Sequence, residues 1–143
     1  MIVVVFDVES LGLHGEGFAA GAVVVDTETG KSLAEFYAAC YPNLDGVHLE
    51  AVKFLLVNVL PHLSYPDGSP RQVRERFWRF WRKWADIGAL LCADCAWPVE
   101  ANFLRACVWD NRPEREWKAP TRCWTCRRSC GPRESTPRAP LSD

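Results

Sequence analysis

Five consecutive β-formers, Ile2-Val3-Val4-Val5-Phe6, open the chain and are closed by charge at Asp7, the pattern of a short, fully buried strand. A second apolar run, Phe18 to Val25, ends at Asp26 and is followed by Thr27-Glu28-Thr29-Gly30-Lys31, which has the chemistry of a hairpin turn. Ser32 to Cys40 supplies a third strand. Between Tyr41 and Ser64 the apolar residues Leu49, Val52, Phe54, Leu55, Val57, Leu60 and Leu63 follow no clean period, so that stretch predicts a mixture of helix and loop.

Tyr65-Pro66-Asp67-Gly68 reads as a turn, after which Ser69 caps a helix, with Pro70 at its first position and Gln72 completing a capping box. Val73, Phe77, Phe80 and Trp84 fall on one helical face, which Trp78 and Trp81 widen. Arg71, Arg74, Arg76, Arg79, Arg82 and Lys83 fill the rest. Arginine neutralises phosphate and aromatic rings stack on bases, so this helix invites a nucleic-acid reading. The aromatic spacing, however, favours packing on a sheet, with the basic residues left as a solvated face. Ile87 to Asp94 predicts another strand ending in an acid, and Trp97-Pro98-Val99-Glu100 starts a further helix whose buried face is Val99, Phe103, Ala106 and Cys107.

The chemistry begins at Asp7-Val8-Glu9. Side chains alternate along a strand, so Asp7 and Glu9 share a face and Val8 takes the other. Two adjacent carboxylates repel, and a divalent cation with oxygen ligands resolves the conflict. The competing reading is that the acids mark the solvated end of a core strand. A glycine-rich turn, Ser10-Leu11-Gly12-Leu13-His14-Gly15-Glu16-Gly17, follows at once.

Strand, acid pair, Gly-Leu turn and then two more strands together resemble the first motif of the DEDD (DnaQ-like) 3′–5′ exonucleases, which have the ribonuclease H-like fold. The strand–acid–helix unit around Asp94 and Glu100 resembles their second motif. Asp94 has the usual residue type, although it sits at the strand end, and is the preferred second-motif acid and metal ligand; counting back from Phe103-Leu104 reaches Glu100, the close alternative. A helix first turn favours Glu100 on electrostatic grounds alone. The resemblance covers residues 1–120 and implies an α/β domain with a five-stranded mixed sheet, strands 1–3 antiparallel, flanked by helices. It implies hydrolysis of a terminal phosphodiester at a DNA or RNA 3′ end. Asp7, Glu9 and Asp94 or Glu100 would hold two Mg²⁺ or Mn²⁺ ions, one generating hydroxide and both stabilising in-line displacement. Gly12 and His14 would contact substrate.

The family's third motif, a His or Tyr followed about five residues later by Asp, is missing: after Pro120 there is no His, no Tyr and no Asp before Asp143. Thr121 to Asp143 holds five Arg, three Pro and three Cys and predicts an irregular, disordered tail. Codons for Arg122-Cys123-Trp124-Thr125-Cys126, read one nucleotide earlier, force Leu-Asp at the centre, and the same frame permits a helix-like stretch through Pro137. The tail thus reads as a frameshift product that has lost the third motif. A genuine Arg/Pro-rich tail or a Cys-x2-Cys-x3-Cys metal site competes with that reading, as does a catalytically inactive, nucleic-acid-binding member of the fold.

At 143 residues and 48% hydrophobic composition the chain suits one globular domain. A net charge of −1 predicts no strong general attraction to nucleic acid, although residues 121–143 are locally basic. Cys92, Cys95, Cys123 and Cys126 have the spacing of a four-cysteine zinc site, but Cys92 falls inside an expected strand. No apolar run is long enough to span a membrane, and the N-terminus lacks a basic n-region, so the expectation is a cytoplasmic protein.

Overall fold

A computed structural model describes residues 1–93 and 96–120 and the backbone of Cys123–Thr125. The sheet has five strands in the order β3-β2-β1-β4-β5: β1 Ile2–Ser10, β2 Gly17–Asp26, β3 Lys31–Ala39, β4 Leu90–Ala93 and β5 Cys123–Thr125. β1, β2 and β3 are antiparallel, and β4 and β5 run parallel to β1. β1 extends past the apolar run, so the two acids lie within the strand and not after it.

Alternation divides the sheet into two faces. Val4, Phe6 and Val8 are buried on one, while Asp7 is exposed and Glu9 half-buried on the other. Helix α2, Pro70–Ala85, lies on the buried face against β2 and β3. Along one row of that face Phe6 is opposite Ala22 and Ala22 is opposite Phe36. The small alanine leaves a seat for Phe77, whose ring centroid lies 5.1 Å from Phe6 and 5.8 Å from Phe36. Phe103 of α3, Ala101–Trp109, closes the cluster at 5.3 Å from Phe77. Full burial of one such phenyl ring stabilises by about 1.5–3 kcal/mol.

Ser69 caps α2 as expected, its Oγ accepting from the Gln72 N–H at 3.3 Å. The reciprocal bond differs: Gln72 Oε1 accepts from the Gly68 N–H at 2.6 Å. The buried stripe of α2 also differs from the expected one, comprising Val73, Arg74, Phe77, Trp78 and Trp81. Phe80 and Trp84 are only partly buried, whereas Trp78 is covered by the Arg115 guanidinium, 5.1 Å from its ring centroid. β4 starts at Leu90, not Ile87, since the Gly88 and Ala89 N–H groups are used to close the end of α2 on Ala85 and Trp84 carbonyls. Tyr41 to Ser64 holds α1, Leu49–Asn58, and a short 3-10 turn, Leu60–His62, matching the expected mixture. A short helix α4, Arg112–Arg115, and a 3-10 turn, Glu116–Lys118, follow α3. The fifth strand comes from beyond Pro120, where composition predicted only irregular chain. Among the described residues no helix is long and apolar enough to cross a membrane.

Candidate active site

Asp7 and Glu9 reach the open face of the sheet because each is an odd position of β1. Their neighbours on β2 are small: Gly21 is opposite Asp7 and Ala19 opposite Glu9. With no bulky side chain beside the carboxylates, a trough of about 650 Å³ runs from Asp7 and Glu9 over Gly21 to Glu35, Tyr37 and Leu63.

Glu100 reaches the same acids from the other direction. Ala96–Glu100 forms a wide π-type turn in which Trp97 alone keeps an extended backbone, and this turn runs directly into α3 at Ala101. Glu100 stands at the N-cap position of α3, yet its side chain makes no capping bond. It is instead 6% exposed and turned towards Asp7 and the Val8 backbone N–H. Burial, and then the negative charge of Asp7, push the Glu100 carboxyl above the usual carboxylate range. Glu9 is pushed the same way by the same two causes in the same order. Asp7 is therefore the common neighbour of two acids whose ionisation it disfavours.

Asp94 and Cys95 lie outside the described residues, as do Cys126 and the side chain of Cys123, so both the alternative second-motif acid and the four-cysteine arrangement fall there. Cys92 is buried in β4. Among the described residues no three His, Cys, Asp or Glu side chains form a ready-made ion cage. The donor set of Asp7, Glu9 and Glu100 nonetheless suits a hard divalent cation: all donors are carboxylate oxygens, and a cation would offset the burial and the repulsion from Asp7 that raise two of them.

The glycine-rich loop joins β1 to β2. Gly17 is where the loop meets α3: a Cβ there would lie 2.7 Å from a Phe103 ring carbon and 2.9 Å from a Val8 methyl. Gly15 is pressed against the Leu11 backbone, where a Cβ would meet the carbonyl oxygen at 2.0 Å. These two glycines thus let the loop close on itself and on α3. Gly12 is at the exposed tip, where its carbonyl accepts from Ser10 Oγ at 2.7 Å. His14 is exposed and lines a small concavity of about 290 Å³ with Glu16, Arg74 and Asn102.

A partly buried charge cluster behind that loop escaped the sequence reading. Arg74 donates from Nε and Nη2 to the two Asp110 carboxylate oxygens at 2.6 and 2.9 Å, and from Nη1 to Glu16 Oε1 at 2.9 Å. The fork ties the loop to α2 and to the end of α3, and both acids hold the guanidinium charge firmly in place. The signal was present: Arg74, Phe77, Trp78 and Trp81 are spaced i, i+3, i+4, i+7, which put an arginine on the core stripe.

Sheet order, strand directions and helix placement define an α/β fold of the ribonuclease H-like class. No family model matches the sequence, and no curated protein matches it significantly. Among solved structures, Exonuclease I from Methylocaldum szegediense superposes with a TM-score of 0.59 at 18% identity, covering 87% of this chain and 27% of that one. The nuclease domain of 3′hExo, a DEDDh family member bound to rAMP, gives 0.49 at 15% identity over 78% of this chain and 60% of its own. Cell-death related nuclease 4 gives 0.42 at 12% identity over 80% and 48%. The chain thus spans about a quarter of the length of the Methylocaldum enzyme.

Proposed function

We propose that this chain carries the core of a metal-dependent 3′–5′ exonuclease acting on DNA or RNA ends in the cytoplasm. The observation that supports it is the convergence of Glu9 and Glu100 on Asp7 at the head of an open trough floored by Ala19 and Gly21. Asp7 and Glu9, with Glu100 or Asp94, would hold Mg²⁺ or Mn²⁺, which supplies an activated water and stabilises charge developing on phosphorus oxygens. Glu100 is the stronger second-motif candidate, because it is buried, faces Asp7 and is not spent on capping α3. The chain's own part is to hold the carboxylates in place on a strand and to leave room beside them. Gly12 and His14, on the tethered loop, would meet the terminal nucleotide.

Residues 121–143 contain no third motif, and we read them as a frameshifted segment in which Cys123–Thr125 still pairs with β4. General-base assistance is typically worth about 10²–10⁴ in rate, so this chain should cleave weakly or not at all. The test is release of mononucleotides from 3′-labelled DNA and RNA in Mn²⁺ by this chain, by a version restored to the alternative frame after Pro120, and by its Asp7→Ala and Glu100→Gln variants. Recovery of activity in the restored version, lost in both variants, is expected. Cleavage indifferent to Asp7→Ala would reject the site. Robust, Asp7-dependent cleavage by the 143-residue chain would reject the frameshift reading. A zinc protein would instead show stoichiometric zinc lost on Cys95→Ser.

A further inference from the structure

The structure accounts for most of the basic residues of α2 and leaves a remainder. Arg74 is spent on Asp110 and Glu16, Arg76 on Asp67 at 2.7 Å, and Arg71 on the Asp110 carbonyl at 3.4 Å. Arg82 binds Asp86 and donates to the Lys118 carbonyl at 3.0 Å. Arg79 and Lys83 are exposed and, among the described residues, have no carboxylate partner; nor has Lys118 on the 3-10 turn after α4. These three cations line one polar groove of about 600 Å³ between α2 and the Arg112–Arg115 helix with its following turn.

The acids in that groove are already engaged. Glu75 is held by Arg115 at 2.7 Å, Asp86 by Arg82, and Glu114 by the Asn111 amide at 2.6 Å. Five basic against three acidic side chains leave the lining net positive. Next to Lys118 in the chain, outside the groove lining itself, is Trp117, 93% exposed, the most solvent-exposed large hydrophobic side chain among the described residues. An indole kept in water next to unpaired cations matches the chemistry of single-stranded nucleic acid, which offers phosphates to the cations and an unstacked base to the ring.

We propose that this groove is a second nucleic-acid contact, binding the phosphodiester backbone of a single strand through Arg79, Lys83 and Lys118 with a base stacked on Trp117. It lies on the side of α2 turned away from the sheet, whereas Asp7 and Glu9 sit on the sheet's far face, so it grips a part of the strand distant from the carboxylates. The overall charge of −1 conceals this local excess. The proposal takes from the exonuclease reading only the class of ligand, and it needs no catalysis.

The test is fluorescence anisotropy with labelled dT12 and U12 in EDTA, so that hydrolysis plays no part. Arg79→Gln/Lys83→Gln/Lys118→Gln should weaken binding at least about tenfold at 50 mM salt. It should also lower the slope of log K against log salt by about 2, the share of three phosphate contacts on a single strand. Trp117→Ala should cost at least about fivefold, with little change in slope. Circular dichroism melts identify a variant that has lost its fold, and Lys118→Gln alone, on a surface turn, then provides the same slope reading on a smaller scale. Unchanged affinity and slope in folded variants would overturn the groove, as would competition by polyglutamate equal to that by dT12. A chain that binds in this way but never cleaves, even with the frame restored, would reject the exonuclease reading and leave the groove standing.

Discussion

Glu100, at the N-cap position of α3, buries its carboxyl against Asp7 of β1 and makes no capping bond to its own helix. Burial beside a second acid, with the Val8 backbone N–H as one of its donors, has a measurable signature in pH. Both Glu100 and Glu9 have folded-state values raised above the unfolded ones. The folded protein therefore binds the extra proton, and stability falls as pH rises from the ordinary glutamate range through the raised values. Urea unfolding at pH 5 and pH 8 without divalent ions should show lower stability at pH 8, and Glu100→Gln should flatten the difference. A wild-type profile with no fall, or one identical to that of the variant, would contradict the contact.

Divalent ions should reverse that loss. Mg²⁺ or Mn²⁺ at about 100 times its dissociation constant stabilises a native state by about 2.7 kcal/mol. Thermal melts at pH 8 should shift upward with Mn²⁺ in the wild type and stay still in Asp7→Ala, which removes the carboxylate shared by both neighbours. An equal shift in both proteins would place the ion elsewhere.

Arg74 and Asp110 have side chains only 10% and 12% exposed. Removing one partner of a buried pair strands the other's charge and costs about 3–5 kcal/mol. Arg74→Met should lose that much in urea unfolding, and adding Asp110→Asn should recover part of it. Strict additivity of the two changes would show that the fork is not a coupled unit.

Gly17→Ala places a methyl into Phe103 and Val8. Overpacking of this kind costs about 1–3 kcal/mol. The melting temperature should fall, and Phe103→Leu should relieve the effect when combined with Gly17→Ala even though it is destabilising alone. Failure of that rescue would move the constraint from the ring to the backbone.

Ser69→Ala should cost about 1 kcal/mol through loss of the α2 cap. Ser69→Asn, which keeps an acceptor, should retain most of that stability in the same denaturant series.

The sequence by itself determined the features that depend on neighbours in the chain. Period-two alternation put Asp7 and Glu9 on one face and Val8 on the other, hairpin chemistry joined β2 to β3, and Ser69 with Pro70 set the start of α2. Local rules suffice there, because strand pleat and helix-end hydrogen bonding are decided within a few residues. The tertiary structure decided what depends on partners distant in sequence. It turned Glu100 from a helix cap into a neighbour of Asp7, moved Arg74 from the solvated face of α2 into the core, and drew Cys123–Thr125 onto β4 as a fifth strand. Each outcome follows from one physical fact: a charge or a strand edge is satisfied by whatever packing brings to it. Asp110, 36 residues from Arg74, and β4, a strand lying outside the segment that pairs with it, are not visible in the local pattern.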